Sequence, residues 1–224
     1  MWKRRSRMID TALASGVIAV VRLPEIAGVR AVAAALTAGG VNAVEITLTT
    51  PGALQAIRAL ASGDGAPGCI IGAGTVLDEQ AARDVIEAGA RFVVSPTLDR
   101  AVMRCCRDRD VPCMPGALTP TELLEAWRAG APVVKLFPAG LLSPLYVREV
   151  LAPLPFLRLV PSGGVSLESA GEWIRAGAAA VSVGSALVSA SLVRDQAWAE
   201  LTARARALVE SVAAARHRLT EASA

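Results

Sequence analysis

Short runs rich in Val and Ile recur along the chain, each followed by a segment whose apolar positions repeat at helical spacing. Eight runs read as strands: VIAVVR (17–22), NAVEITL (42–48), CIIGAG (69–74), RFVVS (91–95), PCMPG (112–116), VVKLFP (133–138), RLVPSG (158–163) and AVSVG (180–184). Between them, helices are expected at about 25–38, 51–62, 78–88, 99–109, 119–129, 143–152 and 166–176. A short helix near 185–190 and a long one near 194–216 follow the last strand, and another precedes the first. Apolar runs that do not alternate with polar residues suit parallel strands covered on both faces.

Helix ends agree with this scheme. An Ala-Gly pair stands at 38–39, 88–89, 129–130 and 176–177, each shortly before a strand, where glycine suits the left-handed residue that stops a helix. Thr50-Pro51, Asp78, Asp99 and Thr119-Pro120 offer capping residues at helix starts. Eight strand–helix units in 224 residues average 28 each, compact for a (β/α)8 TIM barrel but within its range. The competing architecture, an open doubly wound sheet, usually carries a Gly-rich dinucleotide or phosphate loop after its first strand, and none is present here. The expected fold is therefore α/β: a single barrel domain over 1–224, with its core at about 10–190 and a helix at each end.

Composition narrows the function classes. With 53% hydrophobic and 19% charged residues the chain is not disordered, and at this length it can bury about three quarters of its unfolded surface. The net charge of +3 comes mainly from Lys3, Arg4, Arg5 and Arg7, so no basic stripe for nucleic acid is expected. Cys69, Cys105, Cys106 and Cys113 form no CxxC and no zinc-ligand spacing, and no secretory signal opens the chain, which suits a reducing cytoplasm. The uncharged stretch 176–193 holds two glycines and four serines and reads as a strand and a short helix rather than a membrane span. The single histidine, His217, argues against histidine acid/base chemistry and a multi-histidine metal site. Of 23 basic residues 21 are arginine, and the lysines are Lys3 and Lys135.

In a barrel, chemistry collects at the C-terminal ends of the strands. Lys135 lies between Val134 and Leu136 in an apolar strand where an ammonium cannot hydrate, and burial there favours the neutral amine a Schiff base requires. The alternative is a structural ion pair, a role arginine would fill equally well in this arginine-rich chain. Glu45, in VNAVEITL, is placed either to pair with Lys135 or Arg22 or to move protons beside an iminium. PSGGV (161–165) and VGSAL (183–187) follow strands seven and eight, where barrels often bind phosphate through backbone amides, although tight turns alone would also explain their glycines. Arg22, ending the first strand, suits a bidentate contact with a carboxylate or a bridge to Glu45.

Taken together, GGVNAVEITLTTPGA, IIGAGTVLD, FVVSPTLD, MPGALTPTE, VVKLFPAG, VPSGGV and VGSAL resemble the 2-keto-3-deoxy-6-phosphogluconate (KDPG) aldolase family, whose members also act on 4-hydroxy-2-oxoglutarate. The resemblance covers about residues 10–190 in unbroken order. It implies a metal-free class I aldolase without a cofactor, a cytoplasmic homotrimer of the Entner-Doudoroff pathway whose partners are a 2-keto acid and a phosphorylated aldehyde. By motif, Lys135 is the Schiff-base lysine and Glu45 the general acid/base. Thr75, Pro96 and Phe137 line the pyruvate pocket, and Gly163, Gly164, Gly184 and Ser185 hold the phosphate. Many members carry an arginine where Thr49 stands, and others have it at the end of strand one. The pyruvate carboxylate is accordingly assigned to Arg22, with Thr49 a lesser polar contact. Ser162, in place of a common threonine, and FPAG, where some members have FPAE, bear on the aldehyde half. The rival functions are an aldolase for an unphosphorylated sugar acid, another phosphate-binding barrel enzyme, or a non-catalytic ligand-binding barrel.

Overall fold

The computed structural model of the chain describes residues 8–64 and 66–222; the basic run Lys3, Arg4, Arg5 and Arg7 lies outside them. Strands and helices alternate: β1 Val17–Val21, α1 Val29–Ala38, β2 Ala43–Thr47, α2 Ala53–Ala59, β3 Ile70–Gly74, α3 Glu79–Glu87, β4 Val93–Val94 and α4 Arg100–Asp108. Then follow β5 Cys113–Met114, β6 Gly116–Ala117, α5 Pro120–Arg128, β7 Val134–Leu136, α6 Pro144–Leu151, β8 Leu159–Pro161, α7 Ala170–Arg175, β9 Val181–Val183, α8 Ala190–Arg194 and α9 Trp198–Ala222. Residues 8–12 are helical ahead of β1.

All strand pairs are parallel, in a six-stranded sheet of order β5-β4-β3-β2-β1-β9 and a three-stranded sheet of order β6-β7-β8. The expected fifth strand is divided at Pro115, which has no N–H to give to a ladder but whose carbonyl accepts from Lys135 N at 2.9 Å. A parallel bridge, Ser162 to Ser182, and a bond from Ala179 N to the Leu159 carbonyl at 2.9 Å tie the free edges of β8 and β9. The result is an α/β fold around a curled parallel sheet.

Period-two alternation sorts the strand residues onto two buried faces. Val17, Ala19, Val21, Val44, Ile46, Val134 and Leu136 belong to the larger apolar cluster that the helices cover. Ile18, Ala43, Phe92, Val94, Met114, Val133, Val160 and Ala180 form a second cluster on the concave face, joined by Ile9 and Ala12 of the N-terminal helix and by Leu13 in the turn after it. That helix plugs one mouth of the curled sheet. Glu45 and Lys135 stand two residues beyond Ala43 and Val133, so the same alternation turns both toward the interior. The long α9 holds the plug from outside: Arg216 donates to the carbonyls of Ala14 at 2.8 Å, Leu13 at 3.1 Å and Ala179 at 2.8 Å.

The structure moves several expected boundaries. Helix α1 begins at Val29, not near 25, behind a left-handed Gly28. Thr50 does not cap α2; its hydroxyl accepts from Leu23 N at 3.2 Å, and a left-handed Gly52 precedes the helix. Asp78, Asp99 and Thr119 do cap their helices, Thr119 in a reciprocal capping box with Glu122. Helix α7 starts at Ala170 because Ser166 and Ser169 tie up 166–169 in side-chain bonds to each other and to the backbone. The short helix expected near 185–190 is displaced to Ala190–Arg194, after a turn that follows Gly184.

Truncating the plug should loosen the inner cluster specifically. Ile9 is fully buried there, so Ile9→Ala is expected to cost about 2–5 kcal/mol, read as a lowered urea midpoint at unchanged m value.

Candidate active site

At the C-terminal ends of β1, β7, β8 and β9 a cavity of about 350 Å3 brings together Arg22, Lys135, Phe137, Ser162, Gly163, Gly164, Gly184 and Ser185. The sheet delivers Lys135 to its floor, 6% exposed, with Nζ 4.9 Å from the centre of the Phe137 ring. Its neighbours in register are Gly116 on β6 and Val160 on β8, neither of which offers a competing charge.

Glu45, close enough to Lys135 to feel its charge, is 1% exposed, and neither carboxylate oxygen has a hydrogen-bond partner. Burial pushes its carboxyl above the ordinary glutamate range, an effect opposed by the positive charges of Lys135 and then Arg22. Space for it comes from β3, where a Cβ on Gly74 would collide with the carboxylate. Gly74 is therefore part of the site, although it was not singled out from the sequence. Its signature is register: Thr47 pairs with Gly74 and Glu45 with Gly72, so both glycines share the inner face of β3 beside the acid.

Beyond β3, Thr75 has a left-handed backbone, φ 59°, which a β-branched residue rarely adopts. Its Oγ1 accepts a long bond of 3.5 Å from Arg22 Nη2, so the two polar groups meet at the rim of the cavity. Thr49 is turned to other company: it is exposed, and its hydroxyl lies 3.1 Å from that of Thr47. Pro96 lines a separate cavity of about 490 Å3, which shares Phe137 with the first. The ring of Phe137 thus stands between Pro96 and the lysine pocket.

The far wall is backbone. Gly163 and Gly164 have φ of 78° and 84°, and a Cβ on Gly164 would strike Gly140 in the loop after the lysine strand. The approach is close on both sides: a Cβ at Gly140, in FPAG, would come within 3.2 Å of Gly164 Cα. The Ala139 N–H to Ser162 carbonyl bond, 2.8 Å, fastens the two loops together. Opposite them, the Gly184 carbonyl accepts from Leu187 N and Val188 N, both at 2.9 Å, so the amides of Ser185 and Ala186 open a helical turn at the cavity wall. Among the described residues no three His, Cys, Asp or Glu side chains are grouped to hold a metal ion.

A buried amine, a buried carboxylate close to it and a glycine-rich wall make a constellation suited to imine chemistry on an anionic substrate. A family model described as KDPG and KHG aldolase matches residues 9–204. The chain belongs to this family. Aldolases break carbon–carbon bonds, so the family is one of carbon–carbon lyases. The chain is 33% identical to a 2-dehydro-3-deoxy-phosphogluconate aldolase of Pseudomonas aeruginosa, covering 94% of this chain and 96% of that one. It is 34% identical to a 2-dehydro-3-deoxy-6-phosphogalactonate aldolase of Escherichia coli, over 77% of this chain and 84% of the relative. Among solved structures it resembles the KDPG aldolase of Legionella pneumophila with pyruvate captured as a covalent carbinolamine intermediate. That likeness has a TM-score of 0.80 at 30% identity and covers 88% of this chain and 96% of that one.

The electrostatics of Glu45 are directly testable. Its carboxyl, followed by carbon NMR against pH, should titrate above the ordinary glutamate range, and Arg22→Ala should raise the midpoint further by removing an attracting cation. The sign for stability follows. The native state holds the Glu45 proton where the unfolded chain has lost it, so this group's contribution falls as pH rises from the ordinary range to the shifted midpoint.

Proposed function

We propose that the chain is a class I aldolase that reversibly cleaves 2-keto-3-deoxy-6-phosphogluconate to pyruvate and glyceraldehyde 3-phosphate. The observation that carries this reading is the buried amine of Lys135, the one lysine among the described residues, on the floor of a cavity and close to the buried acid Glu45. Lys135 attacks the C2 ketone, and Glu45 transfers protons as the carbinolamine loses water to give the iminium. The iminium draws electrons from the C3–C4 bond as it breaks, the C4 hydroxyl gives its proton to Glu45 as its oxygen becomes the carbonyl, and the aldehyde departs. The enamine left behind is protonated at C3, and hydrolysis returns the amine and pyruvate. Arg22, beside Thr75, is assigned to the keto acid carboxylate, and that contact brings the ketone into register with the amine. Phe137 covers the lysine and excludes water, with Pro96 behind its ring. Thr49, exposed and bonded to Thr47, is left with at most an outer contact.

The amides of the Gly163-Gly164 loop and of the turn at Gly184 and Ser185 are the phosphate cradle in this reading, with Ser162 at the junction toward the sugar chain. The phosphogalactonate relative favours a second substrate, the C4 epimer, and the family description supports cleavage of 4-hydroxy-2-oxoglutarate to pyruvate and glyoxylate. We read the two sheets as one closed (β/α)8 barrel in a single domain, with β5 and β6 as halves of one strand. The Pro115 junction and the Ser162–Ser182 bridge support that closure. No helix among the described residues is long and apolar enough to cross a membrane. A cytoplasmic homotrimer that needs no metal or cofactor is the assembly the family resemblance favours.

Pyruvate release from four acids tests the assignment: the phosphogluconate substrate, its C4 epimer, 4-hydroxy-2-oxoglutarate and the unphosphorylated sugar acid. The phosphorylated acids should lead in kcat/KM by about tenfold or more, and Lys135→Arg should lower turnover by about a thousandfold or more while the fold is kept. No release from any of the four would overturn the reading.

A further inference from the structure

Ser182 lies outside the residues that the motifs single out, yet its side chain is 1% exposed and its hydroxyl has no hydrogen-bond partner. A buried hydroxyl without a partner is costly, and the carboxylate of Glu45 is in the same position. Ser182 sits on the inner face of β9, two residues beyond Ala180 of the inner cluster and two before Gly184 of the cavity wall.

Register relates the two groups. Ser182 pairs with Ile18 on one side, and Ile18 pairs with Ala43, two residues before Glu45. On the other side Ser182 bridges to Ser162, two residues beyond Val160, the partner of Lys135. In a closed eight-stranded barrel, strand tilt staggers alternate strands by two residues, so inward side chains of every second strand share a layer. That stagger leads from Lys135 to Ser182, then to Glu45, then to Val94 and back. One interior layer therefore contains a cation, a hydroxyl, a carboxylate and a single apolar side chain.

We infer that Ser182 is a positioning residue for Glu45: its hydroxyl and the carboxylate together hold one water, through which Glu45 passes protons to and from the substrate. A hydroxyl can donate to the water or accept from it, and a buried water needs two to four polar partners, which this layer supplies. In the step concerned, a C3 methyl proton of the pyruvate iminium passes to the water as the water gives a proton to Glu45. The C–H electron pair becomes the enamine double bond, and the iminium nitrogen becomes neutral. The inference rests on the aldolase reading and the closed barrel proposed above.

The test follows exchange of pyruvate methyl protons with deuterium oxide by proton NMR, across pH, in the wild type, Ser182→Ala and Ser182→Thr. The charged groups that face Glu45 are Lys135 from β7 and Arg22 from the end of β1, both kept in all three proteins. Ser182→Ala is expected to lower the exchange kcat about tenfold, the weight of one hydrogen bond to a charged group, with the pyruvate KM within about twofold. Its acid limb should move to higher pH, since the carboxylate loses a contact that favours its charged form, and Ser182→Thr should restore both. A wild-type kcat and limb in Ser182→Ala, a loss without a limb shift, or an equal loss in the threonine variant would overturn the inference. Wild-type enzyme that exchanges no protons would overturn the aldolase reading with it, whereas normal wild-type exchange with an unaffected alanine variant would overturn this inference alone.

Discussion

An acid and an amine held together in an apolar interior are the constraint on which the rest of this structure depends. Taking each ion out of water costs several kcal/mol, and mutual attraction recovers it only in good geometry. Glu45 receives no direct hydrogen bond, so the positive charges of Lys135 and Arg22 are the named forces opposing its neutralisation. The surroundings are arranged around that tension. Gly74 gives up its side chain to make room for the carboxylate, and Phe137 lays an aromatic face over the amine. A carboxyl raised by burial and opposed by two cations is the kind of group an imine mechanism uses to take and return protons.

The cost of that interior is carried by the two apolar clusters that flank it. Outward-facing strand residues pack beneath the helices, while inward-facing ones meet the plugging helix at 8–12, which Arg216 of α9 fastens from outside. Function is thereby confined to the opposite mouth, where the strands end and loops begin. There the geometry is set by backbone. Gly140 and Gly164 approach closely enough that neither tolerates a Cβ without displacement, and this contact joins the loop after the lysine to the glycine-rich wall. The strand that carries Lys135 and the proposed phosphate cradle are thereby tied to each other through the loop at 138–142.

Much of this was legible in the sequence because burial on two faces leaves a strong signature. Uninterrupted Val and Ile runs marked the strands, and a lone lysine in such a run marked the candidate site. What escaped reading depends on long-range register or competing local bonds. The division of the fifth strand at Pro115 depends on which neighbour each half pairs with. The late start of α7 reflects the Ser166–Ser169 hydrogen bonds, and Thr50 was drawn from its expected cap by Leu23, 27 positions away. Gly74 and Ser182 acquire meaning only once the strands are aligned, since nothing in their local sequence distinguishes room for a carboxylate from an ordinary turn or packing position. Thr49 shows the reverse: a family position that the motif aligns but the structure turns toward Thr47.

We read Lys135 as a nucleophile rather than half of a structural ion pair. Treating the protein with pyruvate and borohydride, followed by peptide mass spectrometry, addresses this reading most directly. One reduced pyruvate adduct per chain is expected, located at Lys135 and absent from Lys135→Arg. No adduct at neutral pH, or an adduct that persists in Lys135→Arg, would contradict it.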